Sequence, residues 1–264
     1  MEFKKKILMR ILYLLFISIL IVIFFSSFIN VYEKRNKIVG WIKNKIEPQQ
    51  QQFAEDKERR NKLAKDIING GYILFFRHAE REKWIDVTKY DAMEMLHGLK
   101  GENEYFSKAV CLSDRGLVQA RAIGEIVKEL KLPYHTVISS PSCRARQTSE
   151  IAFGGYDDIK NVFLHYGPFY EDKEEFVQKV KKEILKIENK DNSNIIISAH
   201  NGVIRSKKIF DEIENEVDFS KIAGKFMEEG GFIVMKKENN KLIFIDLFYS
   251  FHKFHYHFRE RLLD

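Results

Sequence analysis

The sequence predicts an α/β fold, a three-layer α/β/α sandwich with a mainly parallel sheet, preceded by one N-terminal transmembrane helix. Apolar runs of strand length, such as residues 72–76 and 194–199, alternate with longer helical patterns along the chain. These runs are apolar at nearly every position, which is typical of strands that are covered by helices on both faces. A separate uncharged run, Ile11 to Ile29, predicts the membrane helix.

The N-terminal apolar run contains 19 residues without a charge, and as a helix it spans roughly 28 Å, about one hydrocarbon core. The alternative is a cleaved signal peptide, whose apolar stretch is normally about 7–15 residues long and ends at a small-residue site. The whole net charge of +6 lies within residues 1–48, and residues 49–264 are balanced. Basic residues beside such a run favour anionic lipid headgroups and predict no nucleic-acid partner. We therefore expect a membrane anchor at residues 1–30.

The sequence gives less direct evidence for the orientation of this anchor in the membrane. Basic residues flank it on both sides in similar numbers, so the positive-inside rule does not decide which side is exported. The short N-terminal stub favours export of the remainder, and we expect a single-pass protein with its globular part on the extracytoplasmic, periplasmic side. Cys111 and Cys143 suit one disulfide in an oxidising compartment, with two unrelated buried thiols as the alternative.

The elements after the anchor can be taken in order. Residues 31–69 are polar and helix-prone and predict a stalk or linker that Pro48 and the run Gln49 to Gln52 divide in two. Residues 70–264 then form the globular domain, in which Ser113 is a good N-cap for a helix. Residues 83–110 fit neither the helical nor the strand period and predict a loop. The patterns predict strands at 72–76, 137–138, 161–165, 194–199, 231–237 and 242–248, and helices at 114–131, 142–152, 173–188 and after 201.

Three polar segments each follow a predicted strand. They are Arg77 to Arg81, Ser139 to Thr148, and His200 to Gly202. In open α/β sheets, ligands bind at the carboxyl ends of the strands, so we expect these segments to converge. Together they bring two histidines and at least two arginines to one place. No cysteine or carboxylate cluster accompanies them, and we expect neither a metal nor a cofactor.

This set of side chains suits phosphate chemistry. The arginine guanidinium is a planar fork that matches phosphate oxygens. A neutral imidazole can attack phosphorus when its other nitrogen is held by an acceptor. Phosphoryl transfer depends mostly on positioning and on neutralising charge, which arginines and a second histidine can supply without Mg²⁺.

Four motifs, over about residues 72–250, resemble those of the histidine phosphatase superfamily, also called phosphoglycerate mutase-like, in its first branch. Arg77-His78 resembles the R-H-G/A motif, and Cys111 to Ala120 is similar to L-T-x-x-G-x-x-Q-A. Ser139 to Thr148 resembles S-S-P-x-x-R-A-x-Q-T, and Ile197 to Asn201 resembles a strand that ends in G-H-x. The chain thus looks like a membrane-anchored, bacterial-type member of this superfamily.

The resemblance implies a metal-independent phosphomonoester hydrolase in which His78 becomes phosphorylated. The implied catalytic residues are His78, Arg77, Arg144, His200 and a general acid, and the implied phosphate-binding residues are Arg77, Arg81, Arg144, His200 and Asn201. The general acid has no motif; within residues 166–175 Glu171 is the first candidate and Asp172 the second. Ala79 and Ala199 replace glycines that are common in the family. Asn201, where second-branch acid phosphatases have Asp, favours the first branch.

Two other functions remain open at this point. The chain could be a catalytically idle, membrane-tethered module that binds a phosphorylated ligand, or a protein phosphohistidine phosphatase that faces the cytosol. For the hydrolase, an extracytoplasmic location favours a phosphorylated small molecule or an envelope component as the substrate.

Overall fold

The computed structural model of the protein describes residues 34, 47–84, 87–165, 172–204, 206–214 and 227–259. The chain divides into two compact units, Met1–Arg59 and Arg60–Asp264. The α-helices are α1 (Glu47–Asn69), α2 (Val87–Leu96), α3 (Ser107–Val110), α4 (Asp114–Glu129), α5 (Cys143–Phe153), α6 (Lys173–Lys186) and α7 (Phe251–Arg259). The strands are β1 (Ile73–Arg77), β2 (Tyr134–Ser139), β3 (Asp158–Ile159), β4 (Asn194–Ala199), β5 (Glu212–Ile213), β6 (Phe232–Glu238) and β7 (Lys241–Phe248).

All seven described strands belong to one sheet, in the order β3-β2-β4-β1-β6-β7-β5. Strands β3, β2, β4 and β1 are parallel neighbours, and β5 is parallel to β7. Strand β6 runs antiparallel to both β1 and β7. The predicted α/β class with a mainly parallel sheet is therefore confirmed.

The sheet is buried on both faces because most residues of its central strands, β1 and β4, are apolar. In β1, Ile73 and Phe75 point into one apolar cluster, whereas Leu74 and Phe76 point into the other. Helix α6 covers the first face. The second face is covered by the last turns of α1 together with α4, α5 and α7, through Leu63, Ala64, Ile67, Ile123, Val127, Ala152, Phe153, Phe251 and Phe254. The order helix, sheet, helix gives three layers.

The centre of the sheet fixes where the polar segments emerge. Strands β1 and β4 are parallel, with Phe76 opposite Ser198 and Arg77 opposite Ala199. The backbone N–H of His78 then donates to the carbonyl of Ala199 at 3.0 Å. The residues that follow the two strands therefore leave the sheet side by side at its carboxyl edge.

One predicted strand is wrong. Residues 161–165 do not form a strand; Asn161–Phe163 is a 3₁₀ helix, and the strand in this region is the shorter β3. The apolar run of Val162 and Phe163 is nevertheless buried, and the Phe163 ring lies edge-on to Phe75 at 6.1 Å. A short apolar run indicates burial, but it does not distinguish a strand from a tight helical turn.

Two further segments differ from expectation. The segment 83–110, predicted as a loop, contains the helices α2 and α3 and the 3₁₀ helix Gly101–Asn103. The described residues between 201 and 214 form a turn, the 3₁₀ helix Lys207–Ile209 and β5, and none of them is in an α-helix. Helix α2 carries buried acidic side chains, so it lacks the apolar stripe on which sequence prediction depends.

The segment before the sheet also differs in one respect. The glutamine run that was expected to divide residues 31–69 lies inside α1, which continues through it. Pro48 is in the first turn of that helix, where its missing N–H has no partner to lose. In the described part of the chain, no helix is long and apolar enough to cross a bilayer. The anchor predicted at Ile11 to Ile29 lies outside the described residues.

Candidate active site

The loop after β1 presents a buried imidazole. His78 is 3% exposed, and its Nδ1 lies 2.7 Å from the carbonyl oxygen of Ala79. A carbonyl oxygen only accepts, so Nδ1 carries the proton and Nε2 keeps its lone pair. Burial, and then the positive charges of Arg144 and Arg77, lower the pKa of His78 well below its usual value. The ring is therefore neutral and has one unprotonated nitrogen.

The first turns of α4 hold this loop in place. The carbonyl of Glu80 accepts from the backbone N–H of Ser113 at 3.1 Å, while the Ser113 hydroxyl caps α4 by accepting from Gly116. Gln119 accepts from the Glu80 backbone N–H at 2.8 Å and donates to the carbonyl of Glu229 at 2.6 Å. Ser113 and Gln119, two residues of the motif at the start of α4, thus position the loop that carries His78.

A second tie comes from α5. Thr148 Oγ1 accepts from the backbone N–H of Ala79 at 3.0 Å and donates to the carbonyl of Arg144 at 2.7 Å. The start of α5 is itself capped by a carboxylate, because the Cys143 N–H donates to Glu94 Oε2 at 3.0 Å. An acid at this position is favoured by the unpaired N–H groups at a helix start. The loop after β1 and the first turn of α5 therefore form one connected frame.

The guanidinium of Arg144 is buried and tied to Asp91 of α2. Its two terminal nitrogens donate to the two carboxylate oxygens at 2.6 and 2.9 Å. Burial raises the pKa of Asp91, but the charge and hydrogen bonds of Arg144 outweigh it and hold that pKa well below the usual range. Within the described part of the chain, the Nε–H of Arg144 is buried without a hydrogen-bond partner. A buried unpaired donor is uncommon and is suited to an anionic ligand.

His200 stands beside the His78 ring, with 5.1 Å between the ring centroids. Its Nδ1 lies 3.3 Å from a terminal nitrogen of Arg144, which can only donate, so Nδ1 accepts and the proton is on Nε2. That Nε2–H points to the hydroxyl groups of Ser140 and Ser142 at 2.9 and 3.2 Å. Burial, and then the charge of Arg144, lower the pKa of His200 well below its usual value. The second imidazole is therefore also neutral.

A third imidazole belongs to the same group. His165 follows the 3₁₀ helix Asn161–Phe163, and its Nε2 lies 2.7 Å from Asp91 Oδ2. Its ring centroid is 5.7 Å from that of His200. Asp91 is an anion, so its Oδ2 accepts from both His165 and Arg144.

Arg77 lies at the edge of this group. It donates to the carbonyl of Met227 at 2.7 Å and to Glu229 Oε1 at 2.9 Å. Burial raises the pKa of Glu229, although the charge of Arg77 opposes this. The guanidinium is thus fixed by groups that precede β6.

These side chains surround a cavity of about 390 Å³. Six of the predicted site residues line it together: Arg77, His78, Arg81, Arg144, His200 and Asn201. Glu171 lies outside the described residues. Asp172 is exposed and caps α6 by accepting from the Glu174 N–H at 2.6 Å, so this carboxylate is already engaged at a helix start.

The two cysteines and Arg146 lie just outside the cavity. Cys111 and Cys143 are joined by a disulfide that ties the residue after α3 to the first residue of α5. Arg146, which was left out of the predicted site, pairs with Glu94 at 2.8 Å and with Glu102 at 2.9 Å. All of these contacts fasten segment 83–112 to the helix that carries Arg144.

Sequence reasoning missed Asp91 and His165. His165 directly follows a buried apolar run, as His78 and His200 do, and that pattern could have drawn attention to it. Asp91 offered no comparable signal, because it lies in a helix without a clear apolar stripe. Val87 and Thr88 of the same helix complete the cavity wall.

Comparison with known proteins finds a family that matches part of this region. Residues 73–160 match the family described as Histidine phosphatase superfamily (branch 1). The match begins at β1 and ends just beyond β3. His78 and Arg144 lie within the matched residues, and His200 lies beyond them. No curated protein matches the chain at a significant level.

Several solved structures are similar to the chain at low identity. The protein histidine phosphatase SixA complexed with tungstate is 12% identical, with a TM-score of 0.44, and the match covers 67% of this chain and 95% of that chain. A putative phosphohistidine phosphatase SixA from Agrobacterium tumefaciens is 14% identical, with a TM-score of 0.39 and coverage of 67% and 97%. A phosphoserine phosphatase from Entamoeba histolytica, in complex with 3-phosphoglyceric acid, is 13% identical, with a TM-score of 0.43 and coverage of 67% and 95%.

Proposed function

We propose that the protein hydrolyses phosphomonoesters through a phosphohistidine intermediate on His78, without a metal ion. The observation that carries this proposal is the tautomer of His78 inside a cationic cavity. Its Nδ1–H is held by the Ala79 carbonyl, which leaves the Nε2 lone pair for attack on phosphorus. The lowered pKa keeps that lone pair available at neutral pH.

The surrounding charges suit the phosphoryl group. Arg77, Arg81 and Arg144 line one cavity, so three positive charges surround an anion that enters it. Because Arg77 and Arg144 are held by fixed carboxylates, their donors are in place before the substrate arrives. Donors arranged in advance stabilise the charge that spreads over the phosphoryl oxygens in the transition state.

The compartment is part of the proposal. A disulfide between Cys111 and Cys143 persists most readily in an oxidising environment. Together with the apolar run before residue 30, this supports an anchored enzyme whose globular unit is extracytoplasmic and acts on a phosphorylated small molecule or an envelope component. It also weighs against a phosphohistidine phosphatase that faces the cytosol.

The first prediction concerns the nucleophile. His78→Ala in the full-length, detergent-solubilised protein should lower p-nitrophenyl phosphate turnover by at least about a thousandfold, as removal of a covalent nucleophile does. Rapid acid-free quenching of the wild type should trap a phosphoryl group that is stable to base and labile to acid, and His78→Ala should not retain it.

The matched control is His97→Ala, which removes a half-exposed imidazole outside the cavity. It should leave turnover unchanged, and urea unfolding should show that both variants are folded. Residual activity of His78→Ala above a few per cent would remove His78 from the role of nucleophile. A wild type that binds phosphate but turns over no ester would instead be an idle binding module.

A further inference from the structure

A carboxylate–imidazole pair at the cavity wall has no part in the chemistry assigned to His78. His165 lines the cavity, and its side chain is only 12% exposed. Its Nε2 donates to Asp91 Oδ2 at 2.7 Å, which fixes the ring and leaves Nδ1 as the nitrogen that can exchange a proton. A mostly buried acid–base pair of this kind, in the wall of the cavity that also holds the nucleophile, is the arrangement expected of a proton donor and acceptor.

We propose that His165 is the group that protonates the leaving oxygen, an inference that rests on the proposed function. In the first step, His78 Nε2 forms a bond to phosphorus while the bond from phosphorus to the ester oxygen breaks. That oxygen takes the proton from Nδ1 of His165, and the product alcohol leaves. In the second step, water gives a proton to the same Nδ1 as its oxygen attacks phosphorus, the bond to His78 breaks, and phosphate is released.

The groups that face His165 suit this role. Asp91 remains an anion because the charge of Arg144 outweighs the effect of burial, so it accepts the Nε2–H in both protonation states of the ring. Arg144 contributes a positive charge, but both of its terminal nitrogens are bonded to Asp91. His200 is neutral. His165 therefore faces one anion, one cation and one neutral ring, and the extra positive charge of its donor form is balanced by the phosphate ester that occupies the cavity.

Two other candidate proton donors, Asp172 and Glu229, are already engaged in other contacts. Asp172 is exposed, and its carboxylate caps α6. Glu229 is paired with Arg77. Glu171, the first candidate from the sequence, provides a direct competitor in the experiment.

The test compares two phosphate esters whose leaving groups differ in how strongly they depend on protonation. His165→Gln in the full-length protein should lower kcat/KM for phenyl phosphate by about 100-fold, the lower range for a general acid. The same variant should keep most of its kcat/KM for p-nitrophenyl phosphate, because that leaving group departs as an anion and kcat/KM does not include the later hydrolysis of the phosphohistidine.

His97→Gln is the matched control, because His97 is also bonded to a carboxylate, Glu104 Oε1 at 3.1 Å, but lies outside the cavity. It should change neither rate. Equal losses on both substrates, or no loss on phenyl phosphate, would overturn the role of His165. So would a loss confined to phenyl phosphate in Glu171→Gln instead.

A second variant, His165→Asn, covers the case in which His165→Gln does not fold. It removes the same proton donor and should again lower kcat/KM for phenyl phosphate selectively. Equal losses on both esters in a folded His165→Asn would overturn the proposal. If the wild type turns over neither ester, the proposed function itself fails, and this result differs from every outcome that removes only His165.

Discussion

The pair formed by Asp91 and Arg144 dominates the site at the scale of single residues. Both side chains are at least 98% buried, and they share two short hydrogen bonds. A buried pair of this kind offers little net stability over a well-packed apolar pair, but removing one partner typically costs about 3–5 kcal/mol. The pair therefore serves mainly to fix the position of the Arg144 guanidinium and contributes little to stability.

The buried imidazoles lead to a prediction about pH. The pKa values of His78 and His200 are lowered in the folded protein, so the unfolded chain binds protons below about pH 6.5 that the folded chain does not. The free energy of unfolding should consequently fall as the pH drops from 7.5 to 5.5. Each group contributes at most about 1.4 kcal/mol per pH unit.

Urea unfolding of the wild type and of His200→Gln at several pH values measures this slope. The variant should show a shallower decline, whereas His252→Gln, on the exposed side of α7, should retain the slope of the wild type. Identical slopes for the wild type and His200→Gln would show that His200 is not held neutral.

The residues of the site could be predicted from the sequence to the extent that they follow strands. His78 and His200 lie just after buried strands, Arg144 lies in the first turn of the helix that follows β2, and the parallel sheet brings all three together. Asp91 could not be found in this way, because it reaches the site from a helix inserted between β1 and α4. The pairing of Asp91 with Arg144 results from three-dimensional packing, and no periodic pattern in the sequence indicates it.

At the scale of secondary-structure elements, α4 is the support on which the loop after β1 rests. A Cβ added to Gly116 would lie 1.8 Å from the carbonyl oxygen of Glu80, which is far inside van der Waals contact. Helix and loop can approach this closely only because residue 116 has no side chain.

This contact predicts the effect of Gly116→Ala. The methyl group should push the loop away from α4, lower the free energy of unfolding by about 1–3 kcal/mol, and reduce turnover by displacing His78. Val118→Ala, which changes an exposed residue of the same helix, should leave both properties unaltered. Urea unfolding and p-nitrophenyl phosphate turnover measure the two effects, and normal activity in Gly116→Ala would contradict the proposed support.

Helices and strands could be predicted where the spacing of apolar residues clearly matched one of the two structures. The strand at 194–199 has the predicted bounds, and α4 begins at the predicted cap, Ser113, because apolar spacing and capping agree there. The strand predicted at residues 161–165 was wrong because burial alone does not select a strand. Segment 83–110 was taken for a loop because α2 turns buried acids, Asp91 and Glu94, toward α5 instead of an apolar stripe toward the sheet.

At the scale of the whole molecule, one disulfide holds two distant segments of the site together. Cys111 and Cys143 are separated by 32 residues in sequence, and closing a loop of this size contributes about 2–4 kcal/mol to stability. Segment 83–112, which supplies Asp91, is thereby fastened to the helix that supplies Arg144. Loss of the bond should weaken the frame around the cavity.

The last prediction tests where the protein resides. In cells quenched with acid and then denatured, neither cysteine should react with a maleimide carrying polyethylene glycol until a reductant is added. Cys111→Ser should expose one reactive thiol, and the mass shift on a gel reports the number. Two thiols that react without reductant would place the globular unit in a reducing compartment.

The two edges of the sheet have a consequence for solubility. The order of the strands leaves β3 and β5 outermost, and each is only two residues long. Short outer strands offer few unpaired backbone groups to a neighbouring chain, which is one way in which natural proteins avoid aggregation through strand addition. At high concentration, the described sheet therefore offers other copies of itself little outer strand on which to add their own.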